Sequence, residues 1–389
     1  MPATGTLVIR NAACLVPMDP ARRVILEDGA VAVRDGRILA VGTRAEVDAA
    51  LGAHADGAGP QAEEIDATNM LVMPGLVDAH AHAGHALIKT LGFGHAYGAW
   101  LFATRSIYSR GSTEAFWEAD AALTALERLK FGITTGVSLL GSDVFRSDDA
   151  RYGVAHCRGV RSVGTKSVLA LGACMPAACA PISADGPPPR EWVYAHIDDE
   201  VDGEERVTEV TVDADRQIEV CEELIRRCHA TEEFPRIRMA VCYPVYNPAK
   251  RSLPAGVDEA EVISAAKRSR ALANKYAGVG FTQDGHSRGT VAWSHRHGLL
   301  EGAPTYLSHS TDLNEEDFEA LRESGAAIVH NPSAVASIYG RCPVPELLDA
   351  GVPVAIGSDG TAPDRSTDLF RSASGARYGS RTPPRRFGS

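Results

Sequence analysis

Apolar positions fall in short runs separated by polar and Gly/Pro-rich breaks, and their rhythm changes once along the chain. Before Leu71, TLVIRNA and GAVAVRDGRILAVG read as short strands, with Asp35-Gly36 as the turn of a hairpin, because that dipeptide tolerates the positive φ angles a tight turn demands. A small all-β module over 1–70 is the expectation. Beyond it, short β-rich runs alternate with helix-length segments, the mark of parallel βαβ units. The strand candidates are Leu71 to His80, Ile133 to Leu140, Ser167 to Gly172, Ile237 to Tyr243, Gly278 to Gln283, Thr305 to His309, Ala326 to His330 and Val352 to Ser358. Between the first two lies a helix over Thr113 to Lys130, with Thr113 as N-cap, Phe116, Leu123 and Leu126 on one side, and Gly132 past its end.

Eight such units predict an α/β fold, a closed (β/α)8 barrel over 71–370, whose functional residues gather at the C-terminal ends of the strands. A doubly wound open sheet is the structural alternative. The Gly-rich phosphate turn of a nucleotide-binding version is absent.

Candidate chemistry sits where the barrel would place it. The segment PGLVDAHAHAGH carries His80 and His82 at the end of the first apolar run. Residues i and i+2 of a strand share a face, so both imidazoles point to one place, and neutral imidazole is the commonest metal-binding side chain. Without the barrel they would read as two surface histidines on a loop. His309 ends the sixth strand and Asp359 follows the eighth, so both converge on the same mouth. Taken alone, Asp359 would be a turn aspartate before Gly360. His330, before Asn331-Pro332, reads as a structural histidine at the end of the seventh strand.

With the Pro-Gly-hydrophobic-Asp-x-His-x-His signature in hand, the chain resembles the amidohydrolase superfamily over nearly its whole length, to the region of Phe370. LSHSTDLNEEDFEALRESGAAIVHNPSA and CPVPELLDAGVPVAIGSDGTAP resemble its deaminase and chlorohydrolase branch, which includes cytosine, guanine and S-adenosylhomocysteine deaminases and triazine hydrolases. The resemblance implies an N-terminal half-sandwich leading into a metal-bearing TIM barrel. It implies that Asp359 is both a metal ligand and the base for the attacking water, and that His309 polarises the substrate or shuttles a proton.

The fifth strand departs from that pattern. The branch carries His-x-His-x-x-Glu there, whereas this chain reads Phe281-Thr282-Gln283-Asp284-Gly285-His286. Gln283 falls on the metal histidine and His286 on the catalytic acid. Either Gln283 binds weakly through its carbonyl, or His286 folds back as the missing ligand, or the metal is held by too few groups. Amides are poor zinc ligands beside imidazole or carboxylate, so His286 is the preferred replacement, with Asp284 as a proton carrier. The expected metal set is His80, His82, Asp359 and His286 or Gln283, and the catalytic set Asp359, His309 and His286. One divalent ion is implied, zinc by preference and iron as the alternative, since the fourth strand offers no Lys or Glu for a second and Cys242 nearby reads as structural. Such an ion activates water for attack on a trigonal carbon bearing an amine, amide or halide.

Composition narrows the setting. With 389 residues, 44% hydrophobic and 23% charged, the chain can bury a large barrel core and a small second domain. A formal charge of -11 argues against nucleic acid, which needs a dense basic patch. No apolar run approaches the roughly 20 residues that span a bilayer, and no leader pattern opens the chain, so a cytoplasmic enzyme acting on a small molecule is expected. A homo-oligomer is compatible with these features. The eight cysteines show no CxxC pair and read as structural thiols without a disulfide framework.

Substrate identity is weakly encoded. Tyr97, Trp100, Phe102 and Tyr108, with His85 and His95, follow the first strand, and Met175 to Arg206 reads as a long Pro-rich acidic loop; loops on this face often form lids. From Arg371 the sequence holds five arginines and no apolar periodicity, the composition of a disordered basic tail over 371–389, and a shortened or divergent C-terminus is expected. Two functional classes follow: a metal-dependent hydrolase of carbon-nitrogen bonds, and an impaired barrel that at most binds a ligand.

Overall fold

The computed structural model describes residues 5–19, 26–53, 62–91, 113–141, 144–147, 149–174, 193–201, 204–211, 214–249, 253, 258–337, 340–362 and 365–379. The chain divides into two compact units, Met1–Gly75 and Leu76–Ser389.

In the first unit, Thr6–Ala12 lies between Gly29–Arg34, antiparallel, and Glu63–Asp66, parallel, and Arg37–Thr43 forms the outer edge. Asp35 and Gly36 turn the hairpin with φ of 50° and 75°, the left-handed pair that matches strand twist. The helix Arg44–Ala53 starts from a reciprocal cap: Thr43 N donates to Glu46 Oε2 at 2.8 Å and Glu46 N to Thr43 Oγ1 at 3.4 Å. Val47 from this helix packs with Val8, Ala30 and Ala32. Leu71–Val72 pairs with Cys14–Leu15 and so belongs to this unit. The apolar run expected as one strand from Leu71 is therefore split at Pro74-Gly75, because proline cannot donate to a ladder.

The second unit holds eight parallel strands in sequence order: Leu76–Asp78, Ile133–Gly141, Lys166–Leu171, Ile237–Cys242, Gly280–Gln283, Thr305–Ser308, Ala327–His330 and Val354–Ile356. Ala79 N donates to Ile356 O at 3.1 Å and Asp359 N to His80 O at 2.9 Å, so the first strand meets the eighth and the barrel closes. Side-chain alternation divides its core. Leu169 and Leu171 join the large cluster packed beneath the helices, while Val168 and Ala170 join Val137, Leu139, Ala240 and Tyr306 in a second cluster, as opposite faces of one strand must.

The helix Glu114–Lys130 is capped by Thr113, whose hydroxyl accepts from Phe116 N. Its buried face differs from the expected one. Trp117, Asp120, Ala121, Ala125 and Arg128 face inward, whereas Leu123 and Leu126 are more than two-fifths exposed. Asp120 and Arg128 tolerate burial because each is fully hydrogen-bonded. Asp120 accepts from Gly84 N, Ala86 N and Leu87 N at 2.7–3.0 Å. Arg128 donates to Asp78, Ser138 and Val137 O, and a Cβ at Gly136 would fall on its guanidinium.

Three other expectations change. The stretch read as one long loop holds an antiparallel hairpin, Val193–Val201 with Glu204–Thr211, while residues 175–192 lie outside the described ones. The basic tail from Arg371 begins within a helix, Leu369–Gly379; Leu369 and Ser372, one turn apart, are both buried, and that face anchors it. Cys174 is disulfide-bonded, although Cys14, Cys157, Cys221, Cys228, Cys242 and Cys342 are free thiols as expected. Among the described residues no helix is long and apolar enough to cross a membrane.

Candidate metal centre

The chain just past the first strand is laced onto the second. Ala81 N donates to Val137 O, Leu139 N to Ala81 O and Ala83 N to Leu139 O, at 2.7–3.1 Å. That strand-like lacing leaves His80 and His82 on one side, with ring centroids 5.2 Å apart. His309 and Asp359 sit just past the sixth and eighth strands with φ of 62° and 63°, left-handed conformations that cost energy outside glycine. Two glycines clear the floor: a Cβ on Gly357 would stand 2.6 Å from His80 O, and one on Gly360 would stand 2.7 Å from His85 Cε1.

Five side chains converge there. Asp359 Oδ1 lies 3.1 Å from His82 Nε2 and 3.6 Å from His80 Nε2, and its Oδ2 lies 3.7 Å from His309 Nε2. Asp284 Oδ1 lies 3.4 Å from His80 Nε2 and 3.2 Å from His309 Nε2, and its Oδ2 lies 3.4 Å from His82 Nε2. Donor atoms of His80, His309 and Asp359, and likewise of His80, His82 and Asp284, lie within 4.8 Å of one another.

This arrangement fits a cation. Two ligands bonded to one zinc-like ion at ~2.0–2.1 Å with tetrahedral angles stand roughly 3.4 Å apart, which is the spacing observed between imidazole nitrogens and carboxylate oxygens. His80 is wholly buried, yet neither of its ring nitrogens makes a hydrogen bond. A buried polar atom without a partner is costly, and an ion would satisfy it.

Electrostatics follow from the crowding. Burial alone would push the Asp284 carboxyl up, but His80, His309 and His82 hold it well below the usual carboxylate range. Burial is likewise outweighed at Asp359, by His309, His80 and His82. His82, desolvated by burial, is nevertheless raised to about 10 by Asp284 and Asp359. His85 stacks on His82 at 5.4 Å and is held well below its ordinary value by burial, then by His82 and Arg146.

His80, His82, His309 and Asp359 are thus brought together. His286 is not where it was expected: its Nδ1 faces Thr290 Oγ1 at 2.9 Å, and it joins neither donor group. Burial lowers it to about 3. Gln283 is buried, with its Nε2 donating to Pro244 O at 3.4 Å and its Oε1 without a hydrogen-bond partner. His330 is buried outside both groups, lowered to about 4 by burial and His309. Tyr97, Trp100, Phe102, Tyr108 and His95 lie outside the described residues. Sequence reasoning missed Asp120, which holds the backbone beyond His82; a carboxylate flanked by Ala119 and Ala121 was its only signal.

Comparison with known proteins adds independent findings. Residues 29–51 match an imidazolonepropionase-like composite domain of bacteria. A 5-methylthioadenosine/S-adenosylhomocysteine deaminase of Nitratidesulfovibrio vulgaris (strain DSM 19637 / Miyazaki F) is 30% identical over 368 residues, covering 93% of this chain and 71% of the relative. An 8-oxoguanine deaminase of Pseudomonas aeruginosa is 26% identical over 362 residues, 90% of this chain and 71% of the relative. A zinc-bound adenosine deaminase from Xanthomonas campestris superposes with a TM-score of 0.69 at 21% identity, covering 98% of this chain and 75% of that one. A guanine deaminase from C. acetobutylicum with bound guanine gives 0.70 at 15% identity, covering 98% and 82%.

Proposed function

Because the chain belongs to the amidohydrolase-type deaminases and chlorohydrolases, we propose that it is a metal-dependent hydrolase of non-peptide carbon-nitrogen bonds that removes an amino group from a heterocycle. The observation that carries this reading is the convergence of His80, His82, His309 and Asp359 at the ends of barrel strands with ligand-like spacing. His80, His82 and Asp359 would hold the ion, zinc by preference. When bound, such an ion supplies Lewis acidity, lowering the pKa of water toward neutrality at the reacting carbon.

The chain's own groups do the rest. Asp359, kept ionised by its histidine neighbours, accepts the proton of the attacking water. His309 Nδ1 faces Asn331 Nδ2 at 3.5 Å; with the amide donating, the ring proton sits on Nε2, which points toward the carboxylates and is placed to donate to a ring nitrogen of the substrate. Burial of His80, His309 and Asp359 at 5% exposure or less excludes bulk water and strengthens each interaction.

A screen of amino-substituted purines, pyrimidines and triazines for ammonia release tests the proposal. Turnover abolished by Asp359→Asn supports it; a substrate turned over equally well by Asp359→Asn removes Asp359 from its role.

A further inference from the structure

We infer that Asp284 is itself a metal ligand, so that a carboxylate serves where the fifth strand of related enzymes carries an imidazole; this rests on the metal-dependent reading above and deepens it. Both Asp284 oxygens face the donor set: Oδ1 stands 3.4 Å from His80 Nε2, and Oδ2 stands 3.4 Å from His82 Nε2. These spacings are those two ligands of one ion would keep, and they are too long for strong hydrogen bonds. His286 turns its Nδ1 to Thr290 and joins neither donor group, and Gln283 holds its Nε2 on Pro244 O, although His286 Nε2 and Gln283 Oε1 make no hydrogen bond.

The backbone explains why the carboxylate arrives at this position. The strand ends at Gln283, and Gly285 adopts a φ of 94°, open to glycine and strained for other residues. Thr282 pairs with Cys242, which faces into the barrel, while Phe281 packs beneath the helices, so simple alternation carries Asp284 to the inward face at the mouth, just before the chain turns at Gly285. Ser308 then fixes it. The serine hydroxyl donates to Asp284 Oδ1 and accepts from Gly285 N at 3.3 Å, the kind of supporting hydrogen bond that orients metal-binding carboxylates.

The resulting centre has His80 and His82 with Asp284 and Asp359, two imidazoles and two carboxylates. Exchanging an imidazole for a carboxylate makes it harder, so its preference for zinc over manganese is weaker than in a site with three histidines.

The test uses the full chain, stripped and titrated with Co2+, Zn2+ and Mn2+, reading affinity and the visible spectrum of bound Co2+, with anomalous scattering from metal-soaked wild-type crystals as a direct readout. Asp284→Asn and Asp284→Ala should each weaken binding roughly tenfold or more and change the Co2+ spectrum, and Asp284→His should raise the zinc-to-manganese affinity ratio. Density should place an Asp284 oxygen against the ion. If Asp284→Asn, folded by circular dichroism, binds Co2+ with wild-type affinity and spectrum while His80→Ala has lost it, the inference is overturned and the metal-dependent reading stands. If His80→Ala also binds as wild type does, that reading fails and takes the inference with it.

Discussion

Asp78 accepts two hydrogen bonds from Ser358, one from its backbone N–H and one from its hydroxyl, both at 2.8 Å across 280 positions of sequence. The pair ties the first barrel strand to the residue before Asp359, and so fixes Asp359 against His80, which is remote from it in sequence. Arg128 completes the arrangement with a 2.9 Å contact to Asp78 Oδ2.

Asp78→Ala is expected to destabilise the fold by about 3–5 kcal/mol, since it leaves the buried Arg128 guanidinium uncompensated and Ser358 without its acceptor. Urea unfolding of wild type and variant measures it. A cost of less than about 1 kcal/mol would show that Ser138 and Val137 O suffice for Arg128.

Asp120 holds the loop beyond His82 through three backbone amides. Asp120→Ala leaves those buried donors unpaired, each a cost of about 1–3 kcal/mol, and frees His82 and His85 to move. Lower stability should come with weaker metal binding, and Asp120→Asn, which keeps an oxygen acceptor, should recover part of both. Wild-type metal affinity in a folded Asp120→Ala would limit Asp120 to a structural role.

Much of this architecture was legible in sequence, because each barrel strand is a short apolar run between polar breaks and two faces of packing leave a clear signal. His80, His82, His309 and Asp359 were legible for the same reason: they stand at the ends of those runs. Asp284 was harder to read. It shares the inward face with Thr282, but matching the fifth strand to His-x-His-x-x-Glu put Gln283, one residue earlier, on the metal histidine. Leu123 and Leu126 misled because a helix can bury Asp120 and Arg128 in preference to leucines once every polar atom is paired, information carried by partners distant in sequence.

Stability should also fall on acidification below neutrality. Burial, aided by Arg128, lowers His156 to about 3, and neither ring nitrogen has a hydrogen-bond partner. The unfolded chain, with an ordinary histidine near 6.5, takes up a proton between pH 6.5 and 3 that the folded state refuses. This residue alone therefore removes up to ~1.4 kcal/mol per pH unit over that window. His156→Leu should fold and flatten the slope between pH 6.5 and 4.5 in denaturant titrations. Equal slopes in wild type and variant would assign the acid sensitivity to other groups.

If His80 and His82 build a metal centre, the metal content of the purified chain reports it. Elemental analysis should find about one divalent ion per chain in wild type, as a single centre of imidazole and carboxylate ligands implies, and essentially none in a folded His80→Ala, His82→Ala double variant. Stoichiometric metal retained by that double variant would contradict the account.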